Sequence, residues 1–500
     1  MRRPDTATRQ AARPRATETA QGTTHLLRRH WLLAALLLAG LVLRVLTLVA
    51  YRPILFYNDS TRYLLFADGN DPIAYRLPLR LILFAGNLQV VSAVQHLLGL
   101  AIAVTLYVML LRRGCPRWLA ALACAPVLLD AYQLQIEQTM LPEVWFEALI
   151  VAALVVLLWR PRPGLLSIGL AGAVLGVAVT FRQPGEILIV PAVIFVLITG
   201  QGVRRKLAGA ALVCVAFVVP ILGYMTASEV ITGHFWLSRY GTAALYGRAA
   251  SAADCAALRV PASQRAMCPT AKQKATLGRD GLEHSSQSPI RRYYATLPPA
   301  QAAHEVSSFT RSVITQQPLR VLSAIGTDAV KLFALTRNGS PGDPAISRWQ
   351  FQLTFPTYSP HATHLQEVAA ISEFGGGGPA VTTGVAGFLR AYQLHGGYTP
   401  GPVYAVTALA ALAGSLTPLW RRRETGRAAQ VTREQALAAL LFLLTAVSVL
   451  LISDVFEFSW RYQLPAVVTL PPAGAFGIAA LMGMWSARAK PQRPGARKSR

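Results

Sequence analysis

Apolar residues in this chain gather into long runs broken by short polar segments, unlike the short alternation of a soluble amphipathic element. The runs cover residues 31–50, 88–111, 118–133, 144–159, 164–181, a stretch after 186 that returns to Arg204, 207–227, 402–420, 436–452 and 464–485. Several reach the roughly 20 residues that carry a helix across a bilayer. The pattern therefore predicts an all-α polytopic membrane protein with about ten transmembrane helices. Pro126 and Asp130 are expected to make the outer half of the third span irregular. Arg182-Gln183-Pro184-Gly185-Glu186 should form a polar break between two apolar helices. Arg44 interrupts the first span, where a charge is costly in lipid, and snorkelling to the interface is the expected solution.

The polar segments set the remaining organisation. Residues 1–30 are rich in Arg, Thr and Ala without apolar periodicity, which predicts a disordered basic cytoplasmic tail; residues 487–500 form a second basic tail. Arg28-Arg29 before an apolar run has the form of a twin-arginine export signal. The run is too long for a signal core and no small-residue cleavage site follows, so it reads as the first membrane helix. Residues 31–227 form an N-terminal transmembrane module. Its first outer loop, 51–86, mixes Tyr57, Asn58, Asp59, Arg62, Asp68, Asp71, Arg76 and Arg80 with apolar residues, as short amphipathic helices on the outer membrane face would. Residues 228–399 carry most of the Gln, Ser, His and Asp and no convincing span, which predicts an extracytoplasmic loop domain; residues 400–486 supply the C-terminal transmembrane helices. Inside the loop, helical periodicity over 310–335 points to an apolar face of Val313, Leu319, Leu322, Ile325, Val330 and Phe333, and glycines 375–378 to a flexible joint.

Composition narrows the class. Of 500 residues, 53% are hydrophobic and only 14% charged, which excludes an ordinary soluble enzyme. A net charge of +25 would suit a nucleic-acid partner, but the basic residues cluster at span ends: Arg112-Arg113 with Arg117, Arg160 with Arg162, Arg204-Arg205-Lys206 and Arg421-Arg422-Arg423. Ten spans put all four clusters on one side. By the positive-inside rule this implies a multi-pass plasma-membrane protein with both termini cytoplasmic and no nucleic-acid partner. The five cysteines include no CxxC pair or Cys/His cluster, so no metal site is inferred. Cys255 and Cys268 both fall in the outer loop, where an oxidising compartment favours a disulfide; such a short loop gains about 3 kcal/mol.

The candidate chemistry lies on the outer side. Asp59 follows the first span directly, Arg62 lies one helical turn further on, and Tyr63 adds an interfacial aromatic. Topology gathers Arg76, Arg80, Asp130, Glu137, Glu143, Arg182, Glu186, Asp454, Glu457 and Arg461 on the same side, about half of them as plain solvated anchors. Transfer of a group from a lipid phosphate needs a carboxylate to accept the acceptor's proton and cations to stabilise the departing phosphate. Arginine suits the second task because its planar fork binds phosphate oxygens in pairs.

Asp59-Ser60-Thr61-Arg62-Tyr63 resembles the Asp-Glu-x-Arg-Tyr or Asp-Ser-x-x-Tyr signature in the first outer loop of GT-C glycosyltransferases, the group that includes protein O-mannosyltransferases and lipid A aminoarabinose transferases. Arg461-Tyr462-Gln463-Leu464-Pro465 is similar to their Arg-Tyr-x-x-Pro near a late span. The resemblance implies Asp59 as catalytic base. Position on the outer side makes Arg62, Arg182, Arg461 and Tyr462 the candidates for donor-phosphate binding, with a membrane-interface anchor as the alternative role of Arg461. Tyr75 to Arg80 resembles the family's basic, proline-containing motif near the phosphate and leaves Arg76 and Arg80 as alternatives. Ser60 stands where an Asp-Glu pair has its second acid, so an acceptor-side or second acid would come from Glu137 or Glu143. The implied function is an integral-membrane glycosyltransferase that moves a sugar from a polyprenyl-phosphate donor to an extracytoplasmic glycan or protein, with inversion. The alternatives are a lipid-diphosphate-dependent ligase or phosphotransferase and a transporter or flippase of lipid-linked sugars; the latter is ranked last, because transporters tend to show internal repeats and midplane charges.

Overall fold

The structure, a computed structural model, describes residues 28–57, 59–65, 73–238, 241–340, 342–355, 361–420, 426–456 and 458–488. The two tails for the most part, the Arg421–Arg423 cluster, Asn58, Asp68, Asp71 and Glu457 lie outside the described residues. The first helix, α1 (Trp31–Ala50), ends at the two-residue strand β1 (Tyr51–Arg52). There follow α2 (Ser60–Leu65), α3 (Arg76–Ala85), α4 (Leu88–Arg112), α5 (Arg117–Leu129), α6 (Ala131–Gln138), α7 (Glu143–Leu158), α8 (Leu165–Phe181), α9 (Ile189–Thr199) and α10 (Val203–Thr232). Among the described residues five helices are long and apolar enough to cross a membrane: α1, α4, α10 and the two C-terminal helices described below. A sixth crossing arises if α5 and α6, bent by 50° at Asp130, count as one. The bend has a local cause: Pro126 removes a backbone donor inside α5, and Asp130 leaves the helical conformation to cap α6 by accepting from the Tyr132 N–H at 3.0 Å. The other runs expected to span are helical but shorter: α7 has 16 residues and α8 has 17.

Arg44 does not snorkel. It is buried in α1, with Nη1 donating to the Leu128 carbonyl at 3.0 Å, and Nη2 to the Val127 carbonyl at 3.0 Å and to Glu137 at 2.8 Å. The bend between α5 and α6 frees those carbonyls, so the charge finds its partners inside the bundle rather than at the interface.

Residues 241–333 build a helical unit on one end of the bundle, with α11 (Tyr246–Ala252), α12 (Ala271–His284), α13 (Arg291–Thr296), α14 (Pro299–Gln316) and α15 (Pro318–Ala329). Tyr246, Met267, Leu282, Val306, Phe309 and Val313 form its own core, and a disulfide joins Cys255 to Cys268. The expected continuous helix over 310–335 is broken, because Pro318 starts a new helix and re-aims the face. Val313 and Ile325 are buried as expected, but Leu319, Leu322, Val330 and Phe333 are exposed, and Val321 is buried in their place. Gly278 kinks α12 at φ 60° where its backbone meets that of Gly342; a Cβ there would overlap the Gly342 backbone.

The chain returns through α16 (His361–Phe374), β2 (Ala380–Val381) and α17 (Thr383–Leu394). β2 pairs antiparallel with β1, Tyr51 opposite Val381, which ties the first outer loop to the end of the large one. Three more apolar helices close the bundle: α18 (Gly401–Ser415), α19 (Arg427–Phe456) and α20 (Pro465–Arg488). α20 is the most enclosed of the candidate spans, whereas α10 exposes Val215, Val218, Val219 and Leu222 along its outer side.

Candidate active site

Asp59 sits at the start of α2 on a loop pinned from below. The Ser60 hydroxyl donates to the Met140 carbonyl at 2.9 Å and accepts from the Tyr57 N–H at 2.8 Å. Leu55 pairs in parallel with Thr139, its N–H donating to the Gln138 carbonyl at 3.0 Å. Ser60 is fully buried in this junction and locks the loop to the segment after α6.

The Asp59 side chain is 21% exposed and accepts from Arg461 Nη1 at 2.7 Å, with Arg62 Nη1 at 3.7 Å. Burial opposes its ionisation, but Arg461 and then Arg62 outweigh burial, and the carboxyl is held below its ordinary pKa. Arg461 lies on the turn between α19 and α20, and its Nε donates to Glu143, the first residue of α7. Arg182, which ends α8 at the polar break, donates to the same Glu143 oxygen. One buried carboxylate thus aims two guanidinium groups. Aromatic rings complete the cage: Arg461 lies 5.3 Å from the Tyr57 ring centre and 5.6 Å from that of Trp349, and Arg182 lies 4.9 Å from that of Tyr462. Burial works against the charge on Arg461, yet Glu143 and Asp59 keep it protonated.

Asp59, Arg62, Arg182, Arg461 and Tyr462 line one cavity of about 450 Å³. Its lining also includes residues that the sequence did not single out: Arg279, Asp280, Glu283 and His284 on α12, and Arg348, which donates to the Tyr57 hydroxyl at 3.3 Å. Arg279 is held rigidly by Asp328 and Asp343. These residues carry no local signal, because they sit in a polar loop unrelated in sequence to Asp59. Trp349 had one faint marker, a large aromatic beside an arginine in an otherwise polar stretch.

The remaining candidates lie elsewhere. Glu137 is buried away from the cavity, paired with Arg44 at 2.8 Å and His96 at 2.8 Å. Arg80 donates to the Leu64 carbonyl at 2.6 Å and stacks on Phe374; neither it nor Arg76 lines the cavity. Glu186 is exposed outside the cavity, and Asp454 accepts from Gln463 at 2.9 Å. Asp130 accepts a fork from Arg337, at 2.6 and 3.3 Å. Arg337 in turn lies 5.4 Å from the Trp460 ring, next to Arg461. Among the described residues no cluster of three or more His, Cys, Asp or Glu has the arrangement to hold a metal ion.

No protein-family model matches the chain, and neither does any curated protein sequence. Its fold is similar to that of archaeal oligosaccharyltransferase AglB from Archaeoglobus fulgidus in complex with an inhibitory peptide and a dolichol-phosphate, at a TM-score of 0.41 and 13% identity, covering 94% of this chain and 53% of that one. It is also similar to ArnT from Cupriavidus metallidurans in the apo state, at a TM-score of 0.33 and 14% identity, covering 92% of this chain and 78% of that one. The chain spans about half the length of the archaeal chain. At such identities and TM-scores the likeness is one of general shape, and the chemistry has to come from this chain's own residues.

Proposed function

We propose that this chain is an integral-membrane glycosyltransferase that uses a polyprenyl-phosphate sugar as donor and an extracytoplasmic glycan or protein as acceptor. The observation that carries the reading is a partly exposed, ionised Asp59 at the edge of a cavity that also presents Arg62, Arg182 and Arg461. In this reading the acceptor hydroxyl gives its proton to Asp59 as its oxygen bonds to the anomeric carbon. The bond from that carbon to the phosphate oxygen breaks, the electron pair leaves with the phosphate, and Arg461 and Arg62 meet the new charge. One displacement inverts the anomeric centre, so no second carboxylate is needed as nucleophile; Glu143 serves to aim Arg461 and Arg182.

The same pairing supplies a coupling. In the free protein Arg461 and Arg62 depress the basicity of Asp59. A donor phosphate competes for both cations, so donor binding strengthens the base at the moment it is needed. The proposed topology has ten crossings, cytoplasmic termini and the cavity on the outer face of the plasma membrane.

The deciding experiment incubates the purified full chain with a panel of radiolabelled polyprenyl-phosphate sugars and candidate acceptors, beside Asp59→Asn. Transfer from one donor that disappears in Asp59→Asn supports the reading. Transfer that persists in Asp59→Asn, or label released only from diphosphate-linked donors, overturns it.

A further inference from the structure

At the opposite end of α1 from Asp59 lies a second cavity, of about 780 Å³, where the start of α1, the end of α4 and the start of α5 meet. Its charged lining is Arg28, Arg29 and Arg117, and no carboxylate lines it among the described residues. His30 is committed within it, its Nδ1 hydrogen-bonded to the Tyr107 hydroxyl at 2.7 Å. Burial first, and then the fields of Arg117 and Arg29, lower the pKa of that imidazole. Two tryptophans flank the opening, Trp31 at 66% and Trp118 at 50% exposed. From each tryptophan an exposed apolar stripe runs down its helix at helical spacing: Leu38 follows Trp31 on α1, and Leu122 follows Trp118 on α5.

We infer that this cavity is a binding site for the phosphate headgroup of an anionic membrane phospholipid, whose acyl chains lie along the Trp31–Leu38 and Trp118–Leu122 stripes. Three guanidinium groups gathered on one cavity, with no carboxylate in its lining among the described residues, favour an anion there. Basic pockets between membrane helices hold anionic headgroups, and tryptophan prefers the headgroup level where one end of the ring is apolar and the other wet. A free phosphate would satisfy the arginines alone and leave both the tryptophans and the apolar stripes unused. The inference is independent of the glycosyltransferase reading, since the two cavities lie at opposite ends of α1.

Native mass spectrometry of the full chain, released from detergent in titrations with phosphatidylglycerol or phosphatidylcholine, tests it directly. The wild type should retain phosphatidylglycerol preferentially. Replacing all three arginines (Arg28→Gln, Arg29→Gln, Arg117→Gln) should weaken that retention by about a hundredfold, and each single change by about fivefold. Arg204→Gln with Arg205→Gln, at an exposed basic cluster outside the cavity, should leave it unchanged. The single variants keep the test open should the triple one not fold. Equal retention of the two lipids by the wild type overturns the assignment, as does undiminished retention in the single variants or equal loss in the Arg204/Arg205 control. Displacement of the lipid by millimolar inorganic phosphate would assign the site to free phosphate instead.

Discussion

Two arginine–carboxylate pairs in this molecule use the same chemical groups to different ends. Arg44 and Glu137 meet at 2.8 Å with almost no exposure, and Arg461 and Asp59 meet at 2.7 Å with Asp59 open to a cavity. The first pair has only protein partners. The two terminal nitrogens of Arg44 also donate to the Gly40, Val127 and Leu128 carbonyls while its buried Nε meets no acceptor among the described residues, and Glu137 also takes His96. The second pair has Arg461 shared between two carboxylates, a second cation 3.7 Å from Asp59, and space beside it for a substrate. A buried pair whose partners are all protein groups can only hold the fold together, because nothing can enter to exchange with them. A pair at a cavity edge can trade partners, which is what a reaction requires.

The largest test of this contrast is Asp59→Asn, which should lower transfer by roughly 10²- to 10⁴-fold while expression and donor binding persist. Near-normal turnover at saturating substrates would move the base elsewhere, and Glu283, which lines the same cavity, would be the next to examine. Next is Arg461→Lys. It keeps the charge but not the fork that reaches Asp59 and Glu143 together, and turnover should fall by about 10²-fold with the thermal midpoint little changed. Rates equal to wild type would make Arg461 an anchor only.

Arg44→Leu should act on the fold instead. Leaving Glu137 buried without its cation costs about 3–5 kcal/mol, read as poor expression or a lowered melting temperature. Specific activity of the surviving folded fraction should match the wild type, and a selective loss of turnover would erase the distinction between the two pairs. Gly99→Ala probes the same buried network more gently, because a Cβ there would run into the Glu137 carboxylate. Overpacking of this kind costs about 1–3 kcal/mol, measurable as a shift in melting temperature without a change in rate constants. The smallest effect is on pH dependence. Arg62→Gln removes one of the three cations that depress Asp59, the others being Arg461 and Arg182, so the acid limb of kcat/KM for the variant should move to higher pH than in the wild type. An unmoved limb would mean that Arg62 has no part in setting the basicity.

Part of this arrangement was legible in the chain. The apolar runs marked the membrane helices because lipid demands about 20 apolar residues with every backbone group paired internally, and such a requirement is written locally. Asp59, Arg62, Arg182, Glu143 and Arg461 were each marked by a polar break between apolar stretches. Their fates could not be read there. Glu137 and Glu143 stand six positions apart in the same polar stretch, yet one faces Arg44 in the interior and the other aims Arg461 at Asp59. The helical break at Asp130, and the four-residue link 139–142 between α6 and α7, decide which side each reaches.

Local composition and spacing were thus enough for a helical chain with several membrane-length apolar helices and for the acids and arginines at their ends, though not for the number of crossings, because burial in lipid and backbone pairing constrain each segment separately. Packing alone decided that Arg44 turns inward, that α12 brings Arg279, Asp280 and His284 to the cavity that Asp59 lines, and that Arg461 crosses some 400 positions of chain to reach Asp59. A contact between distant segments depends on how several helices bend and stack together, and no single stretch of sequence carries that information.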